Sequence, residues 1–246
     1  MSALWILGPL VFLAGFIDSI AGGGGLISLP AYLLAGVPIH IAMGTNKVSS
    51  SLGTLVASIT YFLHHQILKK LALFASIFAL LGSYLGSSLA LMMNANSLKG
   101  LMLILLPIMA LFLIKQKPST VDYQEKPIPW LIIALITFSI GLYDGLIGPG
   151  TGSLLIYGFV SIIHLNYTQA SANAKVVNLA SGIASIIAFG ISNQINLPLG
   201  LAAAVFSIVG NTVGSLFALR FGKRIIQPLL LIVFGLIMLK LLLDLI

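Results

Sequence analysis

The stretch "GFIDSIAGGGGLISLP", Gly15 to Pro30, decides how this chain folds. Four consecutive glycines interrupt an apolar run, and a helix interior loses roughly 1 kcal/mol for each glycine that replaces an alanine. A costly charge, Asp18, lies just upstream. The same arrangement returns in the second half of the chain. A shift of 126 residues lays Gly15-Phe-Ile-Asp18 on Gly141-Leu-Tyr-Asp144, Gly22 on Gly148 and Gly24 on Gly150. A shift of 128 lays Lys47-Val48 on Lys175-Val176, Gly82 on Gly210, Gly86 on Gly214 and Ser87 on Ser215. Trp5 and Trp130 each precede the first long apolar run of their half. The common order and nearly constant offset indicate an internal duplication.

Composition sets the solvent. Of 246 residues 59% are hydrophobic and only 7% charged, whereas a soluble domain is about a quarter charged. Lipid must therefore cover much of the surface, which makes this an all-α polytopic membrane protein. The net charge of +7 comes from 12 Lys and Arg scattered at the ends of apolar runs. That placement fits a topological role and argues against nucleic-acid binding. The chain has no cysteine, so thiolate metal sites and thiol relays are excluded. The first run, "MSALWIL", lacks the positive flank of a signal peptide and is read as mature sequence.

Residues 1–114 form the first repeat, 115–129 a polar linker ("KQKPSTVDYQEKPIP"), and 130–246 the second repeat. The first repeat reads as apolar segments over Ala3–Ala21, Leu26–Gly36, Gly44–Leu63, Leu71–Met93 and Leu98–Ile114. The second has them over Trp130–Ile147, Ser153–His164, Ala172–Ile191, Leu199–Leu219 and Ile225–Leu242. A spanning helix needs about 20 residues, so the second segment of each half is too short to cross. Each repeat is thus a glycine-interrupted hairpin followed by three spanning helices. Positive residues gather at Lys69 and Lys70, at Lys115, Lys117 and Lys126, and at Arg220, Lys223 and Arg224. Assigning those three places to the cytoplasm puts both termini outside and makes the two repeats inverted copies.

Inverted repeats with matching interrupted helices point to the binding site of a secondary transporter. Irregular backbone at membrane depth is tolerated only where it is buried or lines a cavity. Gly22, Gly23, Gly24 and Gly25, with their counterparts Gly148, Gly150, Thr151 and Gly152, are accordingly expected to start half-helices whose amides favour an anion. Close helix packing is the other reading of these glycines. Neither break is closed by Gly-Lys-Ser/Thr, so nucleotide binding is rejected. Lys47 and Lys175 each follow a small polar prelude, "GTNK" and "SANAK", and open a long apolar segment. They either contact the anion or snorkel to the interface. Asn46 and Asn173 beside them are candidate neutral donors, as are Thr45, Asn178 and Ser153. Asp18 and Asp144 are expected to pair with the lysines, one ion pair in each half, or to cap broken backbone; carriage of a coupling proton is the alternative. Gly82, Gly86, Ala90 and their counterparts Gly210, Gly214, Ala218 form a small-residue packing face with no ligand role. His40, His64, His65 and His164 assemble no metal site, and no cofactor is implied.

Taken together, "GFIDSIAGGGGLISLP" with "GTNK", and "GLYDGLIGPGTGS" with "NAKVVNLAS", resemble the TauE/SafE or sulfite exporter family of membrane transporters, in its YfcA-like branch. The resemblance covers essentially the whole chain. It implies a duplicated transporter of the prokaryotic plasma membrane that moves sulfite, sulfonates or related small organic anions. Its partners would be the bilayer, the anion, and a coupling proton or sodium ion. The unequal breaks, four glycines against Gly148-Pro149-Gly150-Thr151-Gly152, are a point where substrate choice would be tuned. The rival classes are an anion channel and an intramembrane enzyme. The enzyme would need a nucleophile with a base or a metal cluster, and no apolar segment supplies either.

Overall fold

The computed structural model describes residues 2–115 and 128–221; most of the linker and the segment Ile225–Leu242, with Lys117, Lys126, Lys223 and Arg224, lie outside the described residues. Within them the chain is helical throughout. In order come α1 (Ser2–Ala21), α2 (Gly25–Leu34), α3 (Ile39–Leu63), α4 (Lys69–Met92), α5 (Ala95–Lys115), α6 (Trp130–Leu146), α7 (Thr151–Ile163), α8 (Tyr167–Ile191) and α9 (Leu197–Phe221).

The residue pattern on α4 shows what surrounds the protein. Leu73, Ile77, Leu81 and Leu85 recur every fourth residue and are exposed, while Ala75, Ala79, Gly82 and Gly86 are buried. Residues four apart share one helix face, so large apolar side chains point outward and small ones inward. Water would disfavour such an exterior; hydrocarbon accepts it, and small interior residues let helices approach closely. Among the described residues, α4, α8 and α9 are each long and apolar enough to cross a bilayer. The protein is a helical, membrane-embedded polytopic chain.

The helix crossings use the glycines that the sequence singles out for packing. On α4, Gly82 and Gly86 lie against the Phe138 and Leu142 carbonyls of α6, and Gly141 and Gly145 of α6 return the contact against Ala79 and Ser83. On α9, Gly210 and Gly214 lie in the same way against Phe12 and Phe16 of α1. A Cβ at any of these positions would strike backbone. The first helix of each half therefore packs on the fourth helix of the other half. In consequence α1, α3 and α9 pack into one bundle and α4, α6 and α8 into a second, each drawing helices from both halves.

The correspondence between the halves extends to individual backbone angles. The turns after α3 and α8 place His65 and Asn193, 128 apart, at φ 55° each. The Leu68 N–H before α4 donates to Asn173 Oδ1 at 3.1 Å, and the Asn196 N–H before α9 donates to Thr45 Oγ1 at 2.9 Å. Both donors and both acceptors are again 128 apart. The short second segments are helices of 10 and 13 residues, as their glycine boundaries suggest.

One expectation is corrected. Helices α3 and α8 begin at Ile39 and Tyr167, five residues before Gly44 and Ala172. The polar preludes "GTN" and "SAN" are helical, because Thr45, Asn46, Ser171 and Asn173 are buried on interior faces instead of lying in a loop. Asn166 caps α8 by accepting from the Gln169 N–H at 2.9 Å. Lys47 and Lys175 are thus each the ninth residue of a 25-residue helix. They lie beyond the first turn, where a helix dipole acts on a charge.

Candidate functional site

The site is built where the two glycine breaks cross. Gly22 and Gly148 occupy the left-handed region at φ 75° and 93°, which glycine enters without the steric penalty of a Cβ. The breaks then touch. Gly22 lies on the Gly152 backbone with no room for a side chain on either, and Gly25 faces Pro149. Ser153 clamps the crossing: its N–H donates to the Gly22 carbonyl at 3.2 Å and its hydroxyl to the Ala21 carbonyl. The halves differ one step later, where Gly24 is right-handed at φ −57° and Gly150 left-handed at φ 85°.

Much of the amide potential at these helix starts is taken up by protein. The Gly24 N–H donates to Asp18 Oδ1 at 3.2 Å, the Leu26 N–H to the Gly23 carbonyl at 3.1 Å, and the Thr151 N–H to the Gly148 carbonyl at 3.3 Å. Burial explains this, since an orphaned amide costs about 1–3 kcal/mol. The expectation of half-helices aiming unpaired amides at a cavity is therefore corrected for these groups.

Around the crossing lies a cavity of about 50 Å³, several times the roughly 10–15 Å³ that one water needs on the same measure. Both breaks line it through Gly22, Gly24, Gly25, Gly148, Gly150, Thr151 and Gly152; Asn46 and Lys47 join from α3, and Asp18 and Asp144 from α1 and α6. Gly23, Asn173 and Lys175 are not among the lining residues. The Asn173 side chain is spent on structure, accepting from Leu68 and donating to the Gln169 carbonyl at 2.7 Å.

All four charges at the centre are paired. Lys47 Nζ is 2.6 Å from Asp144 Oδ2 and donates to the Asp144 carbonyl at 2.9 Å. Lys175 Nζ is 2.5 Å from Asp18 Oδ2. The pairs form between halves, correcting the expectation of one pair within each. The cause is the crossing of the breaks, which carries each aspartate to the lysine of the other half. Burial of Lys47 at 8% and Lys175 at 0% exposure excludes snorkelling, which would leave the ammonium in water or headgroups. Asp18 both pairs and caps, through Lys175 and the Gly24 amide. Asp144 also accepts from Ser181 Oγ at 2.7 Å.

The two pairs turn opposite members toward the cavity. Side-chain exposure is 10% for Lys47 against 3% for Asp144, but 0% for Lys175 against 13% for Asp18. The wall thus offers an ammonium from one pair and a carboxylate from the other. Further lining comes from Ser50, Ser51 and Thr54 of α3, Asn178 of α8, and Ser207 and Asn211 of α9. Asn211 was not foreseen; its sequence signal is an asparagine inside the apolar run "SIVGNT". Its Nδ2 donates to the Ser207 carbonyl at 3.0 Å, which fixes the amide orientation, and its buried Oδ1 has no partner. Asn46 Oδ1 is buried without a partner as well.

Comparison with known proteins adds the family. The model of the family described as "Sulfite exporter TauE/SafE" matches residues 7–241. A "Probable membrane transporter protein ORF9" of Sinorhizobium sp. is 35% identical over 95% of this chain and 90% of its own length. A "Probable membrane transporter protein" of Haemophilus influenzae is 35% identical over 93% and 90%. The "Probable membrane transporter protein YfcA" of Escherichia coli K12 is 34% identical over 97% and 90%. No solved structure matches the chain significantly. A buried, doubly ion-paired cavity inside a helical membrane protein, with the family model covering nearly the whole sequence, leads to one conclusion: the chain belongs to the TauE/SafE family of membrane transporters and is not an enzyme.

Proposed function

We propose that this protein is a secondary transporter of small anions, sulfite or sulfonates being the first candidates, working by alternating access between two inverted repeats in a prokaryotic plasma membrane with both termini outside. The observation that carries the reading is Lys47, an ammonium buried at the crossing of two broken helices and turned into a cavity. In a site so far from water an anion needs a cation within contact distance. Asn46, Thr151 and the backbone of the two breaks supply neutral groups around it. The family description, sulfite exporter, agrees with this chemistry.

The moving bodies in this reading are the two mixed bundles and not the two sequence halves. Glycine-tight crossings hold α1 to α9 and α4 to α6. What lies between the bundles is the α3–α8 contact, the crossed breaks and both ion pairs. Rocking about that seam would open the cavity to either face in turn.

The test is counterflow in proteoliposomes with sulfite, methanesulfonate and acetate offered separately. Saturable exchange of labelled anion, lost in Lys47→Gln, is the expected result. Exchange that persists in Lys47→Gln removes the ammonium from the site, and flux that rises linearly with concentration indicates a pore.

A further inference from the structure

We infer that Asp144 is the proton site that couples this transporter, taking up one proton as the anion displaces its carboxylate from Lys47. The inference rests on the anion-site reading above. Its ground is charge. The two ion pairs together are neutral, two ammonium groups against two carboxylates. An anion that simply joined Lys47 would leave one negative charge in excess inside a buried cavity, an arrangement that low-dielectric surroundings penalise heavily. The helix starts offer limited relief, because the Gly24, Leu26 and Thr151 amides are already engaged. A proton added to Asp144 restores neutrality. Before binding there is carboxylate paired with ammonium; afterwards there is carboxylic acid, and ammonium paired with the anion. Lys47 keeps its three protons, and the one extra proton arrives from solvent with the anion.

The structure offers a place for that proton on Asp144 and not on Asp18. The Ser181 hydroxyl has two acceptors in reach, Asp144 Oδ2 at 2.7 Å and the Asn178 carbonyl at 2.9 Å. It carries one hydrogen. With Asp144 ionised the hydroxyl donates to the carboxylate; with Asp144 protonated it turns to Asn178 and accepts from the new acid. In either state the Ser181 hydroxyl keeps an acceptor for its hydrogen. The residue 128 positions before Ser181 is Gly53, so the first half holds no matching hydroxyl. Asp18 is moreover tied to Lys175, which is wholly buried and does not line the cavity, so an anion cannot compete for it there. The titratable groups around Asp144 are Lys47 of α3 and Tyr143 of its own helix, whose hydroxyl is bound to the Pro149 carbonyl at 2.7 Å. Across the cavity stands Asp18 of α1, paired with the buried Lys175 of α8. From α4 the neighbouring groups are the hydroxyls of Ser83 and Ser87, and from α7 that of Thr151.

The experiment measures binding of methanesulfonate, which stays ionised at every pH used, to the purified full-length protein in weakly buffered detergent solution with a pH indicator. The expected result is one proton taken up per anion bound and, by linkage, affinity that falls about tenfold per pH unit wherever that uptake is complete. Asp144→Asn should bind with no proton uptake and no pH slope. The wild-type measurement needs no variant to fold. Methanesulfonate binding without proton uptake, or a slope that persists in Asp144→Asn, overturns the coupling alone. Absence of saturable binding to wild type overturns the anion-site reading and this inference with it.

Discussion

Lys175 is wholly buried and its ammonium sits 2.5 Å from Asp18, so replacing it by methionine tests how the centre is held together. Methionine keeps most of the volume and the apolar stem, which confines the change to the charge. Asp18 would then be a buried carboxylate whose remaining partner here is the Gly24 amide at 3.2 Å. Breaking a buried ion pair from one side costs about 3–5 kcal/mol, because the abandoned charge stays desolvated. In Asp18→Asn/Lys175→Met that charge is gone, while the asparagine oxygen still accepts from Gly24. What remains is an imperfectly paired side-chain amide, worth about 1–3 kcal/mol. The double variant should therefore be more stable than the single one by about 2 kcal/mol, the difference between those two ranges. Reversible unfolding by SDS in mixed micelles, followed through a reporter on α8, measures both. A single variant that loses less than about 1 kcal/mol, the value of an exposed pair, would refute the buried-pair account. So would a double variant less stable than the single.

Three other outcomes follow from the backbone. Gly22→Ala puts a side chain at φ 75° against Gly152; the backbone strain alone is about 1–3 kcal/mol, and the melting temperature in detergent should fall with loss of anion counterflow. Gly86→Val drives a branched side chain into the Leu142 carbonyl of α6; the expected result is aggregated protein in size-exclusion chromatography, whereas Gly100→Val, with open space around it, should elute as wild type. The chain has no native cysteine, so His65→Cys and Asn193→Cys report the two equivalent turns without background. An impermeant maleimide should label Asn193→Cys from outside intact cells and His65→Cys only after permeabilisation, and labelling of both from one side would sink the inverted topology.

The correspondence between the halves was readable in the sequence because the residues it preserves are ones whose backbone role admits few substitutes. Gly22 and Gly148 must be left-handed, and Lys47 and Lys175 hold the ninth position of helices of equal length. The start of α3 was not readable, since "GTN" in isolation has the composition of a loop and only interior burial makes it helical. Nor could the pairing of charges be read. Two lysines and two aspartates allow two equivalent sets of pairs, and the choice is made by the contact of Gly22 with Gly152, a tertiary event with no local signature. Asn211 escaped notice for a related reason: it lies on α9 just after Gly210, on a helix whose small residues already account for its packing against α1.

Where the halves match and where they differ divides the molecule by role. The matched features are mechanical: the left-handed glycines, the Leu68–Asn173 and Asn196–Thr45 hydrogen bonds, the glycine crossings of α4 and α9. Several of the unmatched ones line or adjoin the cavity. Asn211 stands where the first half has Ser83, Ser207 where it has Ala79, Ser181 where it has Gly53, and Asn46 where the second half has Ala174. In a transporter of the kind proposed, a duplicated scaffold gives two packings of nearly equal energy, so that modest binding energy can move the population between them. Recognition needs the opposite, since one small solute cannot meet both halves through identical groups. A fully symmetric cavity would present the same charge from both pairs. This one presents an ammonium on one side and a carboxylate on the other, and the halves differ there both in side chains and in the backbone of the breaks, where Gly24 is right-handed and Gly150 left-handed.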